Sequence, residues 1–471
     1  MERVVIIRFG ELGLKGKNRP VFEDQLRERL RYAVRDLEGI RVRKAFGRFY
    51  VEVEEHHLEA ALARLRRVFG VVSISPALRV EPNLEAIKAA ALAELEAALD
   101  ALPQGRSRPV RFKVETNRAD KRFPLSSQEL TRELGRFLLR RVRNLTVDVH
   151  NPEVQVSAEI REGQAYLYTR TLPGPGGLPY GSSGKACLLL SGGIDSPVAG
   201  WMAMKRGVRI EPIHFHSFPF TSKRSEEKVL DLARVLAGWA GPIRVHLVSV
   251  TEIQKEIRQH CPEDLHITIL RRFMFRIAER IAREVGALAL VTGESVGQVA
   301  SQTLESMDTI EAVTSIPVLR PLVAMDKAEI IALAREIGTY ELSILPYEDC
   351  CTIFVPRSPK TRPRRDQAER AEARLDVEAL VAAALASREV VEVRPDDPRS
   401  LAQGAAGPAA AGDDLFLPLD LPPVEAEVAG AGPADSGEAE PEEAQPEAGE
   451  PEETAEPDGG EREGAPVREE P

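Results

Sequence analysis

Apolar and polar positions along this chain follow two periods, and they change over in a fixed order. Residues 3–10, "RVVIIRFG", read as a strand, Pro20 to Leu37 as an amphipathic helix with Phe22, Leu26 and Leu30 on one face, and "GRFYVEVE" as a second strand. These make a small α+β unit, expected to close near residue 61. Residues 62–172 hold the strand "VRFKVET", a helix opened by the capping-box spacing Ser126 to Glu129, and the strands "LTVDVHN", "VQVSAEI" and "AYLYTR". This second α+β unit is basic. A turn-rich stretch, "LPGPGGLPYGSSGK", follows it. From there to about residue 395, the strands "CLLLSG", "VRIEPIHFH", "IRVHLVSV" and "ALALVTGE" alternate with helical stretches. That alternation predicts a parallel sheet covered by helices on both faces, with ligands bound at the carboxyl ends of its strands.

One of those strand ends stands out. In "LLLSGGIDSPVAGWMAMKRG", a strand gives way to small and polar residues and then to Val198, Trp201, Met202 and Lys205 at helical spacing. Ser196 and Pro197 predict an N-cap followed by proline at the first helical position, and Gly207 closes the helix. A glycine-rich turn feeding a helix N-terminus aims backbone N–H groups at one point and suits a phosphate. The turn lacks the lysine of a GxxxxGK[ST] loop. It offers instead the hydroxyls of Ser191 and Ser196, close backbone approach at Gly192 and Gly193, and the carboxylate of Asp195, which suits Mg²⁺ bridging a triphosphate. A tight turn without a ligand needs none of these polar groups.

Composition changes the picture in two places. The net charge of −11 hides an uneven distribution: the last 51 residues carry 17 Asp or Glu against two Arg, a balance of −15, which leaves about +4 for the rest. That tail has no aromatic residue and is rich in Ala, Pro, Gly and Glu, so residues 396–471 are expected to be disordered. Only four cysteines occur, Cys187, Cys261, Cys350 and Cys351, in no CxxC spacing, and no apolar run is long enough to span a membrane. A reducing, cytoplasmic setting without a zinc site is expected.

The excess positive charge is patterned. After Ser126, residues Arg132, Arg136, Arg140 and Arg143 form one stripe on a helix, while Leu130, Leu134, Phe137 and Leu138 face the other way. Lys113, Arg118, Lys121 and Arg122 extend the stripe, and Lys15, Lys17 and Arg19 make a second cluster. Such surfaces suit a phosphate backbone. Exposed aromatics for stacking are scarce in the sequence, so recognition of folded RNA by shape is expected rather than base reading.

At this point the motifs resemble a known family. "SGGIDS" is similar to the pyrophosphate-binding PP-loop of ATP pyrophosphatases, which activate a carbonyl oxygen by adenylation. "RFGELGLKGKNR", "FKVETNRADKRFPLSSQEL", "HFHSFPFTS", "TGESVGQVASQT", "RPLVAMDKAEII" and "LPYEDCCTIFVP" resemble, in order, the motifs of the tRNA 4-thiouridine synthetase family, often named ThiI. The resemblance implies a ferredoxin-like domain over residues 1–61, an RNA-binding THUMP domain over 62–172, and a PP-loop adenylation domain over 173–395. It also implies ATP contacts at Leu189, Leu190, His214, Phe215, Arg271, Gly293 and Gln302, beside the loop residues. On physical grounds Leu189 and Leu190 equally suit pure core, and His214 a hydrogen-bonded strand histidine.

The implied chemistry is adenylation of the position-8 uridine of tRNA, then sulfur transfer to give 4-thiouridine, with ATP and Mg²⁺ as cofactors. The C4 oxygen of uridine leaves poorly until it is adenylated, and Asp195 takes a metal-binding or electrostatic role in that step. Sulfur must then arrive on a cysteine persulfide. The family motif implies Cys350 as the acceptor and Cys351 as a second cysteine that resolves the disulfide, with Cys261 as another candidate reductant. Glu348 and Asp349 would raise the thiol pKa, whereas Arg357, Lys360 and Arg362 would oppose this. Cys187, inside a strand, reads as core. Some members carry a rhodanese-like domain here replaced by the acidic tail, which implies direct delivery by a cysteine desulfurase. The implied partners are therefore tRNA, a cysteine desulfurase and the ThiS sulfur carrier of thiamine synthesis, without a membrane and compatibly with a homodimer. A non-catalytic tRNA-binding protein would keep the basic units and have no use for Ser191, Asp195 and Cys350.

Overall fold

The computed structural model describes residues 2–103, 107–347 and 359–397; Cys350, Cys351 and the acidic tail lie outside the described residues. The amino-terminal half is built on one sheet. Strand β1 (Glu2–Phe9) buries Val4, Val5, Ile6 and Ile7 in succession, so both of its faces are covered. Helix α1 (Arg19–Ala33) starts with Pro20 in its first turn, where no intrahelical N–H is lost, and buries Leu26 and Leu30. The hairpin β2 (Arg41–Ala45) and β3 (Arg48–Glu52), helix α2 (Leu58–Leu65) and strand β4 (Val71–Val80) complete the first layer. Its core includes Leu58, Leu62, Leu65 and Ile74 together with Val5 and Leu26, residues on both sides of the expected division after residue 61.

Helix α3 (Leu84–Ala101), β5 (Val110–Arg118), α4 (Ser127–Arg141), β6 (Leu145–Val147), β7 (Val154–Arg161), β8 (Gln164–Tyr168) and β9 (Leu172–Pro173) follow. The strand order is β2-β3-β1-β4-β8-β7-β5-β6, with β9 against β4. Strand β4 is the seam, antiparallel to β1 through Ile6↔Ser75 and to β8 through Leu78↔Leu167. The two α+β units thus share one sheet. The expected capping box opens α4: Ser126 Oγ accepts from Glu129 N and the Glu129 carboxylate accepts from Ser126 N at 2.8 Å. Leu130, Leu134 and Leu138 are buried, with Phe137 packed partly against the same core.

The second half alternates strand and helix as predicted: β10 (Lys185–Leu189), α5 (Asp195–Lys205), β11 (Arg209–His216), α6 (Lys223–Ala240), β12 (Ile243–Ser249), α7 (Thr251–His260), α8 (His266–Val285) and β13 (Ala289–Val291). Helix α9 (Leu304–Glu311), β14 (Val318–Leu319), α10 (Lys327–Ile337), α11 (Tyr340–Ser343), α12 (Arg365–Glu372), α13 (Val377–Ala386) and β15 (Glu389–Val393) complete it. The order is β14-β13-β10-β11-β12-β15, parallel except for β15. One core holds Val198, Leu236 and Ile330 from α5, α6 and α10, and the other holds Ile257, Phe273 and Val381 from α7, α8 and α13. The order runs one way from β10 to β11 and β12 and the other way to β13 and β14. That reversal places a crevice at the carboxyl end of β10, the strand that feeds "SGGIDS".

The turn-rich stretch between the halves is tied down. Gly176 N donates to Val71 O at 2.8 Å, Leu178 N to Lys205 O at 2.9 Å, and Gly181 N to Gly207 O at 2.9 Å. At Gly177 (φ +76°) a Cβ would stand 2.0 Å from Lys205 O, so no other residue fits there. Phe69, just ahead of β4, enters the aromatic cluster of Trp201 and Trp239, with centroid separations of 5.6 Å and 5.5 Å. Arg206 at the end of α5 grips Glu11 through two 2.7 Å hydrogen bonds.

Candidate functional site

The crevice is built at the carboxyl ends of β10, β11, β13 and β14. Helix α5 starts at Asp195, one residue before the expected cap, and has no side-chain cap at its N-terminus. Ser196 is used differently from the expectation: its hydroxyl accepts from Ser191 N at 2.9 Å and lies 3.1 Å from Ser191 Oγ, closing the loop on itself. Ser191 Oγ in turn accepts from Gly193 N at 3.3 Å. The loop is therefore braced by its own serines, and Pro197 sits in a first turn where its missing N–H costs nothing. Gly293, at the end of β13, closes in from the side: a Cβ there would stand 2.7 Å from Ser196 N. Gly293 thus crowds the backbone of the loop.

Asp195 is held from both sides. Gln298 Nε2 donates to Oδ2 at 2.8 Å, and Lys327 Nζ, on the first residue of α10, pairs with Oδ1. Helices α5 and α10 thus bring a carboxylate and an ammonium together at the mouth of the cradle. A single carboxylate suits a Mg²⁺ that arrives on nucleotide phosphates and keeps most of its water, and among the described residues no cluster of three or more metal-ligating side chains occurs.

Behind this pair, Glu294 is buried and accepts from Arg271 Nη2, from Arg320 Nε at 2.8 Å and from Thr292 Oγ1 at 2.9 Å. Burial alone would raise its carboxyl; the charges of Arg271 and Arg320 outweigh burial and hold it below the usual carboxylate range. Arg271 also reaches Ser301 Oγ at 3.2 Å, so its guanidinium is fixed in orientation. Arg320 Nη1 donates to Glu311 at 2.7 Å, while its Nη2 is buried without a partner. Gln302 shapes the loop that carries Gln298: its backbone carbonyl accepts from Gly297 N at 2.9 Å and its side chain from Ser295 N at 3.4 Å.

On the other flank, Leu190 is buried; its N–H donates to Ile213 O at 2.9 Å and its carbonyl lies 3.1 Å from His214 Nδ1. A carbonyl only accepts, so Nδ1 carries the proton, and Nε2 stays buried without a partner. Phe215 is buried and Leu189 half-buried in the core of α7 and α8. Gly192 lies against Lys228 of α6, whose Nζ donates to Leu345 O at 2.8 Å. Sequence reasoning missed Glu294, Gln298, Arg320, Lys327 and Lys228 as site residues. All but Lys228 lie inside the motifs "TGESVGQVASQT" and "RPLVAMDKAEII", which was the available signal.

The remaining cysteines are core. Cys187 is fully buried and its thiol is pushed up to about 12 by burial, and Cys261 is buried with its Sγ donating to Ala371 O at 3.6 Å and its thiol pushed up to about 11. Of the basic residues, Arg132, Arg136 and Arg140 are exposed along α4, with Arg136 3.4 Å from Glu133. Lys121 is exposed beyond β5, and Arg118 there donates to Phe123 O at 3.0 Å. Lys17 is exposed, while Lys15 pairs with Glu11 at 3.6 Å.

Comparison with known proteins identifies the family. The family model described as thiamine biosynthesis protein (ThiI) matches residues 181–377, the ThiI ferredoxin-like domain matches 4–75, and the THUMP domain matches 81–170. A probable tRNA sulfurtransferase of Brevibacillus brevis is 54% identical over 390 residues, covering 83% of this chain and 96% of that protein. The chain belongs to the ThiI family. A second ThiI relative, a probable tRNA sulfurtransferase of Moorella thermoacetica, is 53% identical across 83% of this chain and 98% of its own. A crystal structure of a 4-thiouridine synthetase in complex with RNA and with bound ATP superposes with a TM-score of 0.77 at 42% identity, covering 84% of this chain and 100% of that one. The cradle thus lies in the ThiI segment, and the shared sheet carries the ferredoxin-like and THUMP domains.

Proposed function

We propose that this chain is an ATP-dependent tRNA sulfurtransferase that converts uridine at position 8 of tRNA to 4-thiouridine. The observation that carries the reading is the braced loop 191–196 at the switch point of the parallel sheet, with Asp195 held between Lys327 and Gln298. The 4-thiouridine synthetase of like fold binds ATP and RNA, and it is matched here over its full length. The uridine O4 attacks the α-phosphorus of ATP and pyrophosphate departs. Negative charge grows on the leaving phosphates, and we assign Lys327, Arg271 and the N-terminus of α5 to meet it. Mg²⁺, when bound with the nucleotide, would be held by Asp195 and supply further charge compensation. Gly192, Gly193, Ser191 and Ser196 shape the phosphate pocket. We assign Leu189, Leu190, His214 with its unpartnered Nε2, Phe215, Gly293 and Gln302 to the nucleoside end.

Sulfur enters through Cys350 as a persulfide formed by a cysteine desulfurase. The terminal sulfur attacks C4 and displaces AMP, leaving the base joined to Cys350 through a disulfide; the Cys351 thiolate then attacks Cys350 Sγ, freeing 4-thiouridine and leaving a Cys350–Cys351 disulfide for an external dithiol to reduce. The chain itself supports this placement. Leu345, tied to Lys228 beside Gly192, precedes Cys350 by five residues, a reach of at most about 18 Å. The same persulfide serves transfer to the ThiS carrier of thiamine synthesis, in keeping with the description of the family model.

The setting is cytoplasmic, and no described helix is long and apolar enough to cross a membrane. The test is to supply tRNA, ATP and a cysteine desulfurase with cysteine, and to measure 4-thiouridine and pyrophosphate together. Cys350→Ser should release pyrophosphate and form no 4-thiouridine, with the persulfide absent from the "LPYEDCC" peptide by mass spectrometry. Normal thiolation by Cys350→Ser removes the cysteine assignment, and a wild-type protein that releases no pyrophosphate removes the enzymatic reading.

A further inference from the structure

An aromatic residue stands where the fold has no use for one. The β2–β3 hairpin turns through Phe46 and Gly47, with Ala45 paired to Arg48 and Gly47 at φ +75°. Gly47 meets the backbone demand of the turn, and a polar residue would serve at position 46. Phe46 is instead 78% exposed.

Its surroundings are cationic and lie at the seam of two domains. The Arg19 guanidinium sits 5.3 Å from the Phe46 ring centroid and 5.9 Å from that of Phe9, and is fixed by a 2.7 Å hydrogen bond to Glu23. This puts Phe46 beside the Lys15, Lys17 and Arg19 cluster of the first domain. On the other side, the Phe46 carbonyl accepts from Arg161 Nη1 at 3.4 Å, at the end of β7. Two residues on, Gly163 N donates at 3.0 Å to Asp120, which in turn holds Arg122 at 2.9 Å and 2.7 Å. Phe46 is thus connected to both basic clusters, one on each domain.

We infer that Phe46 is a stacking platform for one unpaired base of the bound RNA. The inference rests on the tRNA reading above and adds a base contact to a surface otherwise expected to read backbone and shape. A ring flanked by fixed cations matches a nucleotide, whose base needs an apolar face and whose phosphates need positive charge. The base must be unpaired, because bases inside a helix are already stacked on both faces. Arg19 and Arg161, which flank the turn, favour a polyanion over a protein surface.

The test uses the full-length protein and unmodified tRNA at one fixed salt concentration. Phe46→Ala should weaken binding about tenfold, as expected when one base–aromatic stack is removed. Phe46→Trp and Phe46→Tyr should stay within about twofold of wild type. The salt dependence of binding should keep its slope in Phe46→Ala, since no charge is removed. Ultraviolet crosslinking of the wild-type complex should mark the RNA-bearing peptide at Phe46. Wild-type protein that fails to bind tRNA overturns the reading on which this rests. Wild-type binding with Phe46→Ala within about twofold leaves that reading standing and removes the role of Phe46. So does a crosslink map that bypasses residues 43–48, or a loss of dimer in Phe46→Ala with unchanged RNA affinity.

Discussion

Lys228 Nζ donates a 2.8 Å hydrogen bond to the carbonyl of Leu345, and the same side chain lies against Gly192 of the loop. One buried lysine thus touches both the phosphate cradle and the chain that runs toward the cysteine pair. Lys228→Met keeps the length and apolar stem but leaves the Leu345 carbonyl without this donor, at a cost of about 1–3 kcal/mol. We expect 4-thiouridine formation to fall about tenfold or more while pyrophosphate release falls less. Equal loss of both products would show that the lysine serves the cradle alone.

Gly293→Ala tests the close approach of β13 to the loop. A Cβ 2.7 Å from Ser196 N meets backbone on a helix start, which cannot swing away as a side-chain tip would. The expected result is a loss of about 1–3 kcal/mol in stability by thermal or urea melting, with ATP affinity reduced. An unchanged melting point with normal ATP binding would mean that loop and strand part easily.

Asp195→Asn preserves shape and removes the charge that pairs with Lys327. Pyrophosphate release should drop by at least about 100-fold, while tRNA affinity stays within about twofold, because the carboxylate faces the cradle. Lys327→Met should give the same pattern. Parallel loss of tRNA binding in either variant would place the pair at the RNA surface.

Much of the cradle was legible because its parts are contiguous: strand, glycine turn and helix follow one another from Leu188 to Gly207, and local geometry follows local sequence. Its partners were not. Gln298 and Lys327 lie 103 and 132 residues from Asp195, and only the parallel sheet and α10 bring them together. Ser196 was misread as a cap because a Ser-Pro pair at a helix start fits that pattern, whereas the hydroxyl turns back to Ser191. The capping box of Ser126 and Glu129 was readable from four residues. The joining of two α+β units through β4 was not, since strand order depends on pairings far apart in the chain. Phe46 escaped notice for a related reason: exposure is a property of the folded hairpin, not of the residue type.

Replacing Arg132, Arg136 and Arg140 by glutamine should weaken tRNA binding and flatten its salt dependence by roughly one log–log unit for each phosphate left without its cation. Arg136 should contribute least, because Glu133 already draws on its charge. A slope equal to that of wild type would mean that the α4 stripe faces only solvent.

Cys187 and Cys261 should resist alkylation of the native protein. With their thiols pushed up to about 12 and about 11, both stay protonated at pH 8, and both are buried. Iodoacetamide should modify them only after unfolding. Rapid labelling of Cys261 in the folded protein would instead favour its candidacy as a reductant.

The stretch between the halves has a consequence for how a substrate is selected. Its backbone is bonded to β4 on one side and to the end of α5 on the other, the Phe69, Trp201 and Trp239 rings lock the same junction, and Arg206 is clamped to Glu11. No slack segment separates the sheet under the basic helix α4 from the cradle, so the span between them is a fixed length. A rigid span of this kind would act as a gauge: if the basic surface seats a folded RNA as proposed, only the nucleotide lying at that distance along it would reach the loop, whatever its neighbours spell.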